Sequence, residues 1–143
     1  MIMIYQTNSP GETQKIAKEL AQKYKDGGIF ALSGPLGAGK TTFIQGFAQG
    51  LGITERLLSP TFVIMRQHEI PKNPEGKLYH IDLYRLDKIT EIDSLGLSEI
   101  FSNPKNIIFI EWSEKMETLL PKQTIKIHLE ITSEETRQIL IED

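Results

Sequence analysis

The chain has no cysteine among its 143 residues, which excludes disulfide scaffolds, thiolate zinc sites and cysteine nucleophiles. It also lacks an excess of positive charge. Sixteen Lys and Arg stand against 19 Asp and Glu, for a formal net charge of −3. There is thus no global basic field to hold a polyanion, and stable RNA binding by the chain alone is not expected. No apolar run approaches the ~20 residues that span a bilayer. Met1-Ile2-Met3-Ile4-Tyr5 has neither the basic start nor the long apolar stretch of a secretory leader. These absences fit a reducing, cytoplasmic setting without membrane attachment. No [NT]-K-x-D guanine-reading motif and no L-S-G-G-Q occur, which argues against a standard GTPase and a transporter-type ATPase domain. The length suits one domain over residues 1–143, large enough for a core without cross-links or structural metal. It is short for a small-molecule kinase with a separate lid.

What is present is Gly34-Pro35-Leu36-Gly37-Ala38-Gly39-Lys40-Thr41, a match to G-x-x-x-x-G-K-[ST], the phosphate-binding P-loop. Ile29-Phe30-Ala31-Leu32 before it suits a buried strand, and Thr42-Phe43-Ile44-Gln45-Gly46-Phe47-Ala48 after it has helical apolar spacing. That context separates a P-loop from a mere glycine-rich turn, which is the plainer alternative. Backbone N–H groups of such a loop point at phosphates, and the helix start adds partial positive charge. Lys40 would reach the β- and γ-phosphates, and the Thr41 hydroxyl would ligate Mg²⁺. The expected ligand is a nucleoside triphosphate with Mg²⁺.

The rest of the chain reads as one α/β unit. Ile2–Gln6 is a first strand, and Ser9-Pro10-Gly11-Glu12 opens a helix with an N-cap, a first-turn proline and a capping-box glutamate. Gly27-Gly28 stops that helix, and Gly50-Leu51-Gly52 ends the helix after the P-loop. Thr61–Gln67 and Lys77–Leu83 read as strands joined by a polar turn, and Glu91–Phe101 as a helix despite Gly96. Ile107-Ile108-Phe109-Ile110 predicts a parallel central strand buried on both faces. A short helix follows over Ser113–Leu120. Ile125, Ile127, Leu129 and Ile131 share one face of an alternating strand, and Thr132-Ser133-Glu134-Glu135 turns it into a last strand with Ile139 and Ile141. Of the histidines, His68 reads as loop and His128 as exposed strand surface, while His80 belongs with Asp82.

A P-loop needs a second group to hold Mg²⁺, usually an acid at the end of an apolar strand. Glu111 directly follows the strongest central-strand signal and is preferred as the metal acid. Asp82, in the more mixed strand Leu78-Tyr79-His80-Ile81-Asp82-Leu83-Tyr84-Arg85, would then bind metal through water or orient the attacking water. An ion pair with Arg85 is its plainer alternative. Ser59 or Thr61, in Ser59-Pro60-Thr61-Phe62, is placed to sense the γ-phosphate, or else merely opens a strand. Trp112, the lone tryptophan, follows Glu111 and reads either as packing or as part of the site.

The combination of G-x-L-G-A-G-K-T-T at 34–42, S-P-T-F at 59–62, H-x-D-x-Y-R at 80–85 and I-E-W at 110–112 resembles the TsaE family. These are bacterial ATPases required for tRNA threonylcarbamoyladenosine biosynthesis. The motifs come in family order and span most of the chain. The resemblance implies a small P-loop NTPase domain of α/β class, with a mixed, mainly parallel central sheet flanked by helices. It implies action on the TsaB–TsaD complex, which modifies the adenosine beside the anticodon in tRNAs reading ANN codons, with tRNA met only through that complex. By motif, Gly37, Ala38, Gly39, Lys40, Thr41 and Thr42 would hold ATP, Thr41 and Glu111 would ligate Mg²⁺, and Asp82 and Trp112 would be needed for turnover. Thr7 and Arg137 would flank the adenine. A small P-loop phosphotransferase and a nucleotide-gated assembly module with little hydrolysis are the alternatives.

Overall fold

Alternating buried strands and amphipathic helices lay down the frame. In chain order they are β1 (Ile2–Thr7), α1 (Pro10–Lys23), β2 (Gly28–Ser33), α2 (Lys40–Gly50), β3 (Met65–Glu69), β4 (Lys77–Asp82), α3 (Ile89–Asp93), α4 (Leu97–Ser102), β5 (Ile107–Glu111), a 3₁₀ segment (Ser113–Leu119), β6 (Ile125–Ile131) and β7 (Arg137–Glu142). The structure, a computed structural model, describes residues 1–57, 60 and 63–143, with only the backbone of Ile89 and Asp93.

The strands form one sheet in the order β1-β7-β6-β2-β5-β4-β3. Its middle, β6-β2-β5-β4, is parallel, and β1, β7 and β3 run antiparallel to their neighbours. The mixed sheet of a P-loop α/β domain is therefore as expected. All five β5 residues are buried, because β5 lies between two parallel neighbours and is covered on both faces. Local chemistry explains α1 equally well. Ser9 Oγ accepts the Glu12 N–H at 3.1 Å, and Pro10 occupies the first turn.

One face of the sheet is sealed by α1 and α2 around an aromatic nucleus. Phe30 stacks on Phe109 with centroids 4.8 Å apart, and Phe47 meets both rings edge-on at 5.2 and 4.9 Å. All three rings are fully buried, and each contributes about 1.5–3 kcal/mol by burial alone. This packing clamps α2, and with it the P-loop, against β2 and β5. The opposite face carries a smaller core of Ile29, Ile81, Ile108 and Ile110 under Ile92, Leu97 and Met116.

Three expectations change. The helix foreseen over Glu91–Phe101 is two short helices, because Gly96 takes φ +74° and turns the chain between them. His68 is on β3, hydrogen-bonded to Glu55 at 2.7 Å, and is not in a loop. Ile131 leaves the buried face of β6 and is 44% exposed where the strand runs out into the hairpin. Within the strand foreseen at Thr61–Gln67, Thr61 and Phe62 lie outside the described residues, and pairing begins at Met65. Gly96 also allows a clean test of backbone cost. A Cβ there meets nothing within 4 Å, so Gly96→Ala is expected to destabilise by about 1–2 kcal/mol through the left-handed conformation alone. Urea denaturation would measure it, and an unchanged midpoint would contradict the turn.

Candidate active site

Three parallel strands deliver the site. β2, β4 and β5 end together at the carboxyl edge of the sheet, the place where open α/β sheets bind ligands. β2 passes into the P-loop, in which Gly37 and Gly39 hold φ of +82° and +100°. Gly39 caps α2, so Lys40 stands at the helix N-terminus, where unpaired N–H groups and the dipole favour anions. In register, Asp82 lies directly opposite Glu111, and Glu111 opposite Leu32. Residues paired across parallel strands point to the same face, so the two carboxylates share one side of the sheet, that of the P-loop helix.

These groups converge on a cavity of about 650 Å³, lined by Gly37, Gly39, Lys40, Thr41 and Thr42 on one side and Asp82 and Glu111 on the other. Leu36, Tyr84 and Trp112 complete the wall. Lys40 Nζ donates to the Gly34 carbonyl at 2.6 Å and lies 5.5 Å from the centre of the Trp112 ring. Trp112 adopts φ +61° at the start of the 3₁₀ segment, 37% exposed. Of its two sequence readings, packing and site, the structure places it in the cavity wall.

Glu111 is held from behind. His80 Nε2 and Glu111 Oε2 are 2.6 Å apart, and both side chains are buried. An ionised carboxylate only accepts, so Nε2 carries the proton and donates. Among the described residues the other ring nitrogen, Nδ1, is buried without a hydrogen-bond partner. Asp82 Oδ1 accepts the Tyr84 N–H at 2.9 Å, which closes the chain into a turn just past β4. Among the described residues no three His, Cys, Asp or Glu cluster as an all-protein metal cage. Two carboxylates and the Thr41 hydroxyl form an oxygen set that suits Mg²⁺, which takes one or two carboxylates and completes its shell with phosphate and water.

A second cavity of about 400 Å³ adjoins the first through Gly37, Gly39 and Thr42. Its outer wall is Asn8, Ser9 and Thr13 on one side and Glu134, Glu135 and Arg137 on the other. Arg137 ties the β6–β7 hairpin to the P-loop. Its Nε donates to the Gly37 carbonyl at 3.3 Å, and its Nη1 donates to the carbonyls of Ser133 and Thr136 at 3.0 and 2.9 Å. Thr7 is fully buried and bonded to Thr13 Oγ1 at 2.8 Å, so it stands behind the wall that Thr13 presents.

Lys40, Thr41, Thr42, Asp82, Glu111 and Trp112 thus meet at one cavity, and Arg137 lies at its neighbour. Ser59 and Thr61 lie outside the described residues. Sequence reasoning missed Tyr84 and the hold of His80 on Glu111, although both belong to the H-x-D-x-Y-R segment. It also missed Lys115, whose Nζ donates to the carbonyls of Tyr84 and Leu86 at 2.6 and 3.0 Å and locks the turn after β4 to the turn after β5. His128 is not simple exposed surface, since it bonds Ser33 Oγ at 2.7 Å and Glu130 at 2.5 Å.

Known proteins resemble this chain in sequence and in fold. Residues 7–139 match the model of the TsaE family, described as threonylcarbamoyl adenosine biosynthesis protein TsaE. The chain is 40% identical over 135 residues to the tRNA threonylcarbamoyladenosine biosynthesis protein TsaE of Bacillus subtilis, covering 94% of this chain and 82% of that one. It is 31% identical to the protein of the same name from Treponema pallidum, covering 94% and 96% of the two chains. A solved structure described as "Crystal structure of Bacillus subtilus YdiB" superposes with a TM-score of 0.82 at 35% identity, over 99% of this chain and 84% of that chain.

Proposed function

The chain belongs to the TsaE family, and from that premise we propose that it binds and hydrolyses Mg-ATP to support tRNA threonylcarbamoyladenosine formation. The observation that carries the reading is the convergence of Lys40, Thr41, Asp82 and Glu111 on one cavity at the carboxyl ends of β2, β4 and β5. The adjoining cavity under Arg137 and Thr13 takes the base and sugar, and Gly37, Gly39 and Thr42, common to both, lie where the phosphates cross.

Within that reading the P-loop N–H groups and the start of α2 bind the phosphate chain. Lys40 exchanges the Gly34 carbonyl for the β- and γ-phosphates, with the Trp112 ring face beside its ammonium. Thr41 and Glu111 would hold Mg²⁺, which supplies positive charge to the phosphate oxygens. His80 keeps the Glu111 carboxylate aimed. Asp82 orients the attacking water, because its carboxylate lies level with Glu111 at the end of the neighbouring strand. The partner is the TsaB–TsaD complex, in the cytoplasm. With a net charge of −3, the chain meets tRNA only through that complex.

Phosphoryl transfer depends on positive charge set against the γ-phosphate at the transition state. Lys40 is the only basic side chain lining this cavity among the described residues. Turnover by the chain alone is therefore expected well below ~1 s⁻¹, with a clear rise on adding TsaB–TsaD. Steady-state ADP and phosphate release with and without that complex tests the reading. A phosphorylated product other than ADP and phosphate would replace it with phosphotransferase chemistry.

A further inference from the structure

We propose that the outer edge of β1 pairs with the same edge of a second copy of this chain, antiparallel and two-fold about Ile4, so that the two sheets run on as one. The contact lies apart from the nucleotide cavity and does not depend on the Mg-ATP reading. β1 and β3 are the two edge strands of the sheet. An edge presents a row of N–H and C=O groups open to another strand, and proteins guard it with charge. β3 is guarded. Arg66, His68 and Glu69 are among its five residues, and Glu69 pairs with Lys77 of β4 at 3.8 Å. β1 reads Ile-Met-Ile-Tyr-Gln-Thr, with no charge, no proline and no bulge in its register with β7. Ile2 and Ile4 are 62% and 60% exposed.

Backbone geometry decides which groups point outward. The Met1 ammonium donates to the Asp143 carbonyl at 3.1 Å, and the Asp143 N–H donates to the Met1 carbonyl at 3.2 Å. That exchange makes Met1 and Asp143 a hydrogen-bonded pair. Such pairs alternate along an antiparallel ladder, so Met3, Tyr5 and Thr7 also turn their N–H and C=O groups to β7. Ile2, Ile4 and Gln6 turn theirs to solvent, and all three residues are exposed. Among two-fold registers, the one centred on Ile4 joins every outward group. Ile4 meets Ile4 of the second copy, and Ile2 meets its Gln6, in both directions. Side chains match in the same register. On the open face two β-branched residues meet at the axis, and no like charges oppose each other. On the other face Met3 meets the Tyr5 ring of the second copy, a favourable sulfur–aromatic contact. The two Met1 ammonium groups stand at opposite ends of the ladder, about 20 Å apart, each held by its own Asp143 at 3.2 Å. A second copy is the occupant that meets these demands together, because a two-fold axis makes an uncharged strand its own complement. Lys40, Asp82 and Glu111 lie on α2, β4 and β5, beyond β7, β6 and β2 from this edge, so pairing leaves their cavity open.

Sedimentation equilibrium of the full chain tests the pairing. Between about 1 and 300 µM, a range suited to a small interface, the mass is expected to rise from 16.2 kDa toward twice that value. Ile4→Lys sets like charges opposite each other at the axis and is expected to weaken the dimer about tenfold or more. Ile4→Pro removes an outward N–H while sparing the bonds to β7, and should do the same. Ile4→Val should pair as wild type. Circular dichroism reports that each variant is folded, and ATP turnover per chain is expected to be unchanged in all three. Amide exchange followed residue by residue gives a second readout. The Ile2, Ile4 and Gln6 amides should gain protection as concentration rises, while those of Met3, Tyr5 and Thr7 stay protected throughout. A chain that remains at 16.2 kDa over the whole range would overturn the proposal. So would a dimer that both Ile4→Lys and Ile4→Pro leave intact, which would place the contact elsewhere. Protection of the same three amides only on adding TsaB–TsaD, with the chain monomeric by itself, would give the edge to a strand of that complex and overturn the second copy.

Discussion

Lys40→Ala is expected to lower ATP turnover by ~10²–10³ and to weaken triphosphate binding, with the fold intact. Lys40 opens α2, where its main chain caps nothing that alanine would not, and alanine is a stronger helix former than lysine. Among the described residues its ammonium makes one hydrogen bond to the protein backbone, to the Gly34 carbonyl at 2.6 Å. That carbonyl can turn to water once the ammonium is gone. The loss therefore falls on the ligand, since among the described residues the Lys40 ammonium is the one cation lining the cavity. Circular dichroism and urea titration report the fold, and calorimetry with ATP together with steady-state turnover reports the site. A folded Lys40→Ala protein with wild-type affinity and turnover would remove the P-loop from the mechanism.

The second large effect separates the two acids. Glu111→Gln is expected to raise the Mg²⁺ concentration needed for half-maximal turnover by ~10–100-fold. The substitution preserves volume, and a glutamine oxygen can still accept the His80 Nε2–H, so the buried contact at 2.6 Å survives while the charge goes. Asp82→Asn is expected to cut the rate by ~10² or more with ATP still bound, because its carboxylate is assigned to the water. Its amide oxygen can still accept the Tyr84 N–H and keep the turn. Titrating Mg²⁺ against both variants decides the roles. If only Asp82→Asn shifts the metal requirement, the assignment is reversed.

The P-loop was legible because its chemistry is contiguous. Eight successive residues carry glycines for the turn, the lysine and the hydroxyl, and the strand and helix around them follow from apolar spacing over a few residues. The same locality explains the Ser9 cap, the central burial of Ile107–Ile110 and the β6–β7 hairpin. A histidine within a mixed polar strand carries no such signal. His68 was misread because β3 is an edge strand with Arg66, Gln67 and Glu69 around it, so no apolar alternation marks it. Gly96 was misread because a glycine inside a helical pattern is tolerated, and only packing on the second face of the sheet selects its left-handed turn.

The sequence by itself determined the P-loop motif, the α/β class and two acids at strand ends. Tertiary structure alone decided that Asp82 and Glu111 stand side by side, that His80 holds Glu111, that Arg137 reaches Gly37 across the hairpin, and that Leu36 projects into solvent beside two aromatic rings. The reason is register. These residues lie on or just after β2, β4, β5 and β7, whose order in the sheet differs from their order in the chain. Side-chain direction alternates at every step along a strand, so a shift of one residue in any pairing would turn an acid from the cavity to the other face.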